Sequence, residues 1–489
     1  MALPLGFTPL EVRTYLILTL CWVSIVVVNL LEQPYARSLI HCDVPVNTTE
    51  GQSLENVGRI LITLFVSGFA DYGRKRAALL GQFLITLSTA LFAIAMFLPS
   101  GLAIPTYIVA QGLQGMSGIG ILDQIVAGDV ALILNDSVAV YSRKGIVSAM
   151  IMALLIPIIV YVQYAEITDF TWVWSGIVGL NSVAMALIYL FFPETLNKKQ
   201  NDDKKEKENL SIIGVAKDEV KTFKKIITTH PYVGYRLGEE FLVKMADASA
   251  IGMPFLMAQF HFSQFDALVY NFVPGLVGGV LLGGLVAKWC GQYGTRRVWR
   301  NSFFYHRSTS IANAFLMPVA IFGIPYPLVA GLVHLPLAGF PALIQAVEIR
   351  LVGQETNAKF QAMSQLMSFF SGAITSWLYS QIFYGEARSY FRVVAPYALS
   401  AFFMLLNIVP FLLKTGPMQM NECDRLDQEA KKKWEEEQEK AAQEKKASGP
   451  ELTEEASSPL KTETETTEAS TELEAKQEAV KTQEEKKED

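Results

Sequence analysis

The sequence predicts an all-α membrane protein built from two six-helix bundles around a central cavity. Its 489 residues are 51% hydrophobic and only 18% charged, with a mean hydropathy of +0.29, whereas about a quarter of the residues in soluble domains are charged. Apolar stretches of about 20 residues, the length of a helix that crosses a bilayer, recur along residues 1–420. A charged stretch divides them into two sets of six.

Twelve spans are predicted, each from one of these apolar stretches. The first six lie at residues 15–33, 57–70, 76–98, 103–123, 145–164 and 171–192. The second six lie at residues 238–260, 267–289, 302–323, 325–347, 360–383 and 394–413. The predicted domains are a first half over residues 1–196, a linker over 197–232, a second half over 233–414 and a tail over 415–489.

The linker and the tail are too rich in charge to enter lipid. The linker contains the run KKQNDDKKEKEN. Residues 421–489 carry 22 acidic and 12 basic side chains, so residues 1–420, with 25 acidic and 29 basic ones, are net positive. In the tail, Glu and Lys at helical spacings predict a solvated helix over 424–446, and the Glu, Thr, Ser and Lys bias beyond residue 448 predicts disorder.

The placement of Lys and Arg predicts an orientation with both termini in the cytosol. In that orientation nearly all of the 29 basic residues of the membrane part face the cytosol. The exceptions are Arg37, Arg59, Arg388 and Arg392. Asn47, which begins an N-T-T sequon, then lies in an outer loop as a candidate glycosylation site.

Several function classes are excluded by patterns that the sequence lacks. The four cysteines show neither metal-ligand spacing nor a disulfide framework, and the five histidines form no paired ligand pattern. We therefore expect no metal and no cofactor. The spans contain no set of nucleophile, base and orienting group, which argues against an enzyme. The Lys-rich stretches carry nearly as many acidic residues, which argues against nucleic-acid binding.

The loop after the second span carries the most specific motif. Residues 67–76 read SGFADYGRKR and combine a tight turn, an acidic residue at a helix end and a basic cluster. Together with the twelve spans, this loop resembles the signature G-x-L-A-D-R-x-G-R-R of the major facilitator superfamily. It departs from that signature because Ser67 replaces the first Gly and one residue is missing between Asp71 and Gly73.

The resemblance implies the fold of that superfamily and a gating role for this loop. In the family, the loop pairs its charges with neighbouring helix ends and so holds one conformation. The residues that inherit this role are Asp71, Gly73, Arg74 and Arg76. Asp123, expected at the inner end of the fourth span, is the candidate partner.

Other stretches resemble motifs of the same superfamily. GLVAK at 284–288 followed by GTRR at 294–297 is similar to a degenerate second copy of the loop, with Lys288 in place of the acidic residue, so no second latch is assigned. PETL at 193–196 resembles the end of the sixth span in sugar, organic-ion and folate-type transporters. ETNAKFQ at 355–361 resembles the start of the eleventh span in tetracycline-resistance-type exporters and proton-coupled folate transporters, with Asn357 in place of Gly.

The fourth span separates these two subfamilies. Drug/proton antiporters often carry R-x-x-Q-G there, whereas QGLQG at 111–115 has Gln111 in place of the Arg. A neutral amide cannot bias the pKa of a proton carrier as a fixed cation does. The absence of this Arg favours a symporter or facilitator of the folate-transporter kind.

Polar residues inside spans are costly and are therefore candidates for lining a solute path. The candidates are Asn29, Gln33, Gln111, Gln114, Asn271 and His334. For a lone Asn or His, a hydrogen bond between helices is an equally good explanation.

Three charged residues of the seventh span form the candidate coupling element. Glu240, Lys244 and Asp247 are spaced i, i+4 and i+7 and are expected on one helix face. Their separation when a proton or ion arrives would couple transport to that ion. The alternative is an ion pair that snorkels at the inner interface.

The resulting expectation is a secondary transporter, with proton coupling as one option, that moves a small organic solute across the bilayer by alternating access. A different class remains open, in which the chain does not transport and instead recruits protein partners through its acidic tail.

Overall fold

A computed structural model describes residues 7–40, 57–63, 66, 70, 73–148, 150, 170–195, 212–247, 283–319, 340–384 and 390–447. Every regular element in these ranges is helical. Contacts between residues divide the chain into two units, Met1–Glu429 and Ala430–Asp489. The first unit contains the helices that correspond to the predicted spans.

The first half and the linker contribute six of the helices whose bounds the structure defines. They are α1 (Pro9–Ile40), α2 (Arg74–Ala95), α3 (Ser100–Gly115), α4 (Ile119–Leu134), α5 (Thr171–Phe191) and, in the linker, α6 (Ile212–Thr229). Residues 57–63 and 137–148 are also helical.

The second half and the tail contribute seven more within the described residues. They are α7 (Pro231–Met245), α8 (Gly283–Tyr293), α9 (Thr295–Val319), α10 (Phe340–Val352), α11 (Gln354–Tyr384), α12 (Tyr390–Pro410) and α13 (Gly416–Ala447). A single π-helical turn, Phe411–Thr415, connects α12 to α13.

Five stretches within the described residues are long and apolar enough to cross a membrane. They are Pro9–Val27, Arg74–Ala95, Gly101–Leu134, Thr171–Phe191 and Val394–Lys440. The first four agree with predicted spans of the first half, and the last contains the predicted twelfth span.

A capping box starts α1 and also anchors it to a neighbouring helix. The Thr8 amide donates to Glu11 Oε2 at 2.8 Å and the Glu11 amide donates to Thr8 Oγ1 at 3.3 Å, which satisfies two amides that a helix start leaves open. The other oxygen of the fully buried Glu11 accepts from Arg143 Nε at 2.8 Å. One carboxylate therefore fixes both the start of α1 and its contact with the 137–148 helix.

The fourth predicted span, 103–123, is wrong at its inner end. Residues 116–118 interrupt the helix, and Gly118 adopts φ +63°, a left-handed conformation that glycine adopts readily. A Cβ at this position would lie 2.4 Å from Cγ2 of Val66. The apolar stretch then continues through α4 to Leu134, eleven residues past the predicted end, which moves the inner end of this span away from Asp123.

The seventh predicted span, 238–260, also differs from the structure. Helix α7 begins at Pro231 and ends at Met245, and residues beyond 247 lie outside the described ranges. Hydroxyl groups of two neighbouring helices bond the carbonyl oxygens at this end. Thr375 donates to Lys244 O at 3.2 Å, Tyr379 to Met245 O at 2.7 Å and Ser400 to Ala246 O at 2.5 Å. The bonds to Met245 O and Ala246 O satisfy carbonyls at the helix end, whereas Lys244 O also accepts from the backbone amide of Asp247 at 3.1 Å.

The largest apolar core joins the two halves. It contains Ile125 and Val126 of α4 together with Ile349 of α10 and Ala358 and Ala362 of α11. Helices α4, α10 and α11 are therefore packed together at the end of the bundle that contains Arg74, Arg296 and Arg350, which we call the basic end.

The first residues of the predicted tail pack against the second half. Cys423 is fully buried in a cluster with Trp299 and Phe303 of α9 and Phe411 of the π-helical turn. The ring centroids of Phe303 and Phe411 are 3.6 Å apart. The solvated helix predicted at 424–446 is present as the exposed later part of α13.

Candidate functional site

Arg74 is the first residue of α2 and forms a buried ion pair with α4. Its Nε lies 2.8 Å from Asp129 Oδ2, and the two side chains are 2% and 1% exposed. The guanidinium also donates to the carbonyl oxygen of Ala70 at 2.5 Å. A charge buried this deeply needs a partner, because desolvation would otherwise cost several kcal/mol.

The PETL motif completes this site. Glu194 accepts the backbone N–H of Arg74 at 2.8 Å and that of Lys75 at 3.3 Å, and so caps the start of α2. The hydroxyl of Thr195 donates to Asp129 Oδ2 at 3.2 Å. A carboxylate at a helix N-terminus is favourable because the first amides and the helix dipole both attract negative charge.

The partner predicted for Arg74 is corrected by the structure. Asp123 lies in the second turn of α4 and pairs with Lys144, with 2.6 Å between Nζ and Oδ2. Asp129, almost two turns further along α4, is the residue that pairs with Arg74. Asp71 lies outside the described residues, and Arg76 is exposed.

Asn357 of α11 connects this site to the second half. Its Nδ2 donates to the carbonyl oxygen of Ile125 at 3.1 Å, and its side chain lies beside the carboxylate of Asp129. At Gly128, a Cβ would lie 2.4 Å from Asn357 Nδ2 and 2.8 Å from Ile349 Cδ1. The two halves thus come into close contact at a glycine next to the Arg74–Asp129 pair. We call Arg74, Gly128, Asp129 and Asn357 the gate cluster.

A second contact between the halves lies at Arg59. This residue was predicted to face the outer side, and its guanidinium lies over the ring of Phe369 of α11, 5.3 Å from the centroid. The 57–63 helix therefore also faces the second half.

The second half contains a counterpart of the Glu194 cap that the sequence did not suggest. Asp427 of α13 accepts the backbone N–H of Thr295 at 2.6 Å and that of Arg296 at 3.3 Å. Gly294, with φ +81°, precedes the start of α9 just as Gly73 precedes α2. A Cβ on Gly73 would lie 3.1 Å from Glu194 Oε2 and one on Gly294 would lie 3.2 Å from Asp427 Oδ2. The start of α9 therefore repeats the capping found at the start of α2, with its carboxylate supplied by the predicted tail.

Further ion pairs fasten the start of α13 to the basic end. Arg350 of α10 pairs with Glu422 at 2.9 Å and with Glu429 at 2.6 Å, and Arg296 pairs with Asp424 at 2.8 Å. Residues 416–429 are thus part of the second half, although they lie beyond the predicted boundary at 414.

The predicted coupling residues do not form one cluster. Lys244 and Asp247 lie near each other, with 3.7 Å between Nζ and Oδ2, and are 36% and 41% exposed. Asp247 lies beyond the end of α7, because the helix stops at Met245. Glu240 pairs with Arg236 at 3.0 Å, one turn back along the helix.

Arg236 also pairs with Glu348 of α10, and Tyr232 donates to the same carboxylate at 3.3 Å. The sequence analysis missed this buried network. The i, i+4 spacing of Arg236 and Glu240 is visible in the sequence, but Glu348 lies 112 residues away. Only the packing of α7 against α10 reveals it.

The side chain of buried Glu239 contacts the π-helical turn, whereas that of its neighbour Glu240 pairs with Arg236. Its carboxylate accepts from the hydroxyl of Thr415 in the π-helical turn, and its backbone carbonyl accepts from Asn407 at 3.1 Å. A π-helical turn shifts the register of the following residues, and this register brings Thr415 to Glu239.

The predicted path residues are only partly described. Gln111 and Gln114 are 3% and 5% exposed, so both are buried in the first half, and Gln111 Nε2 donates to Tyr107 at 2.8 Å. Asn29 and Gln33 lie in α1, but their side chains are outside the described set, as are Asn47, Asn271 and His334. In the part of the chain that the structure describes, no group of His, Cys, Asp and Glu is arranged to hold a metal ion.

Solved structures share this architecture. The human organic anion transporter MFSD10 (TETRAN) is 14% identical, with a TM-score of 0.61 over 83% of this chain and 100% of that chain. The proton:xylose symporter XylE is 13% identical, with a TM-score of 0.58 over 83% and 96% of the two chains. A bacterial homologue of the iron transporter ferroportin, in an outward-facing state, is 12% identical, with a TM-score of 0.57 over 83% and 99%. No protein-family model and no curated protein sequence matches the chain.

The apolar helices and these likenesses define a multi-pass, all-helical membrane protein. Its fold is that of the major facilitator superfamily, which confirms the predicted fold class. The narrower resemblances, to tetracycline-resistance-type exporters and proton-coupled folate transporters, stay predictions.

Proposed function

We propose that this protein is a secondary transporter that moves a small organic solute by alternating access. The observation that carries the proposal is the contact of α4 with α10 and α11 beside a buried charge pair, which closes the basic end. A closed end held by a few specific contacts can open as two rigid halves rock apart.

The gate cluster supports this mechanism because its contacts are discrete. Asn357 has one bond to a carbonyl of α4, and Gly128 lets the two backbones come close. Opening the basic end requires that Asn357 leaves Ile125, that Ile349 leaves Gly128 and that the apolar contacts of α4 with α10 and α11 separate. Glu194 and Asp427 keep the starts of α2 and α9 intact during such a movement, since each lies in the same half as the helix that it caps.

Spin-label distances across the basic end test this proposal directly. We would label Ile133→Cys on α4 and Arg425→Cys on α13, two exposed positions, with Cys42 replaced and with Cys21, Cys290 and Cys423 left in place because they are buried. We expect two populated distances in proteoliposomes, and a change in their ratio when organic anions or monosaccharides are added. These probes are chosen because structural relatives transport an organic anion or xylose. One narrow distance, unchanged by any solute and by disruption of the gate cluster, would contradict alternating access.

Proton coupling is assigned to Lys244 and Asp247. The pair is partly exposed at the end of α7, where the arrival of a proton or another ion would separate the two side chains. Structural relatives that are proton symporters make this coupling reasonable for the fold.

Replacing Asp247 with asparagine is expected to abolish the pH dependence of the two spin-label populations. Asparagine keeps the size of the side chain but cannot take up a proton, so the ratio should no longer respond to a change of pH. Glu435→Gln, which neutralises an exposed carboxylate on α13, is the matched control and should behave like the wild type. If Asp247→Asn titrates as the wild type does, the assignment is wrong, while the transport proposal still stands on the solute response.

A further inference from the structure

A groove lies on the surface of the second half between α8 and α9. Its volume is about 440 Å³, and the residues that line it include three aromatic and three polar ones. They are Trp289, Tyr293, Tyr305, Arg297, Asn301 and Ser302. This volume is in the range of small-molecule sites, although it is open on one side.

The groove faces away from the helix bundle. Arg297, Asn301 and Tyr305 are spaced by four residues and form one stripe of α9. Trp299 and Phe303 lie on the opposite side of the helix, because two residues turn an α-helix by about 200°. Both are buried and stack on Phe411, with centroids 5.6 and 3.6 Å away. The stripe that lines the groove is therefore on the exposed side of α9, opposite the side that packs on Phe411.

Arg297 gives the groove its charge. It is exposed and, among the residues that the structure describes, forms no ion pair, whereas its neighbour Arg296 is paired with Asp424. The lining contains no acidic side chain. Lys288 and Arg300, both exposed, add positive charge nearby. The groove is complementary to an anion.

The aromatic residues give the groove the composition of a membrane interface. Tyr293 and Tyr305 are 58% and 40% exposed, and Trp289 is half-buried. Trp and Tyr prefer the headgroup level of a bilayer, where an apolar ring and a polar edge are both satisfied. The groove lies at the start of α9, close to the basic end, which is where headgroups would meet the protein.

We propose that this groove binds one anionic phospholipid of the phosphatidylserine class. The lipid phosphate lies at Arg297, the glycerol region meets Asn301 and Ser302, and the acyl chains leave through the open side along Trp289 and Tyr305. The cavity is large enough for a headgroup and glycerol, and the rest of the lipid remains in the surrounding leaflet. This site is separate from the gate cluster and does not depend on the transported solute.

Native mass spectrometry of the full chain in detergent tests this proposal. Phosphatidylserine and phosphatidylcholine with identical acyl chains would be titrated, and one phosphatidylserine should bind more tightly. Arg297→Gln should weaken that binding about five-fold, since one basic residue near a membrane surface contributes about 1 kcal/mol. Arg300→Gln removes a neighbouring charge outside the groove and should change binding less than two-fold. Arg297→Lys should keep most of the affinity, because the charge remains.

Four outcomes would overturn the proposal. Equal binding of the two lipids would show that the headgroup charge is not recognised. Equal loss in Arg297→Gln and Arg300→Gln would show a diffuse electrostatic effect with no site. Displacement by soluble glycerophosphoserine at the concentration at which the lipid binds would mean that the groove recognises a free anion. A dimer mass that Arg297→Gln abolishes would make the groove an interface between two copies of the chain.

Discussion

Replacing Gly128 with leucine is expected to open the basic end of the protein. A Cβ at this position would lie 2.4 Å from Asn357 Nδ2 and 2.8 Å from Ile349 Cδ1, both in the other half. Overpacking of this kind costs about 1–3 kcal/mol, which shifts a two-state equilibrium by about five- to 160-fold, since about 1.4 kcal/mol corresponds to a factor of ten. The longer distance between labels at 133 and 425 should become the major population. Gly128→Ala should shift it less, because the side chain of Asn357 can turn away from a single methyl group.

Gly81→Ala is the matched control for the substitutions at Gly128. A Cβ at Gly81 would lie 2.4 Å from Ser117 O and 2.9 Å from Ile119 Cδ1, and both atoms belong to the same half. This variant should lower the thermal stability and leave the spin-label distances unchanged. If Gly128→Leu also loses stability without any change of distances, then the contact at Gly128 is part of a permanent core and not of a gate.

Replacing Arg74 with glutamine is expected to have the second large effect. It leaves the carboxylate of Asp129 buried, 1% exposed, and without its cation. Removing one partner of a buried ion pair costs about 3–5 kcal/mol, so the Tm of the purified protein should fall by several degrees. The open population should also rise, because Asp129 lies beside Asn357 and would keep only the neutral partners Thr195 and Asn357.

Two further variants distinguish this effect from a general loss of charge. Lys144→Gln breaks the Lys144–Asp123 pair, whose side chains are 12% and 11% exposed, and should cost less because some water reaches it. The double variant Arg74→Gln/Asp129→Asn leaves no unpaired buried charge and should recover part of the lost stability. A double variant less stable than either single one would mean that the pair does not act as a unit.

The cap that Asp427 provides for α9 determines how the tail should be truncated in a test of its function. A chain that ends at residue 414 loses Asp427, together with Glu422 and Glu429, which hold Arg350. A chain that ends at residue 447 keeps all of them. Only the second truncation separates a role of the acidic tail in binding partners from its role in supporting α9.

Local sequence patterns were sufficient to predict several helices and to identify Arg74, one partner of the buried ion pair. The hydropathy of residues 76–98 and 171–192 predicted α2 and α5 to within a few residues, because a helix buried in lipid must be apolar along its length. The loop at 67–76 identified Arg74, since a basic cluster after a span has a recognisable composition. The predicted inner end of the fourth span was wrong because the helix resumes after the interruption at Gly118 and continues to Leu134, and the predicted start of the seventh span lies seven residues after the start of α7 at Pro231. The predicted end of the seventh span, at residue 260, lies outside the described residues.

The partners of those charges depended on the tertiary structure. Arg74 meets Asp129 55 residues later and Glu194 120 residues later, and Thr295 meets Asp427 132 residues later. Several carboxylates in the sequence could serve each cation, and Asp123 was as suitable as Asp129 by composition. The choice was made by the break at residues 116–118 and by the packing of α2, α4 and α13, because an ion pair forms only where the folded backbone brings two side chains within a few ångströms. The sequence by itself thus determined the fold class and the charged loop, and the packing decided which residues meet between the two halves at the basic end.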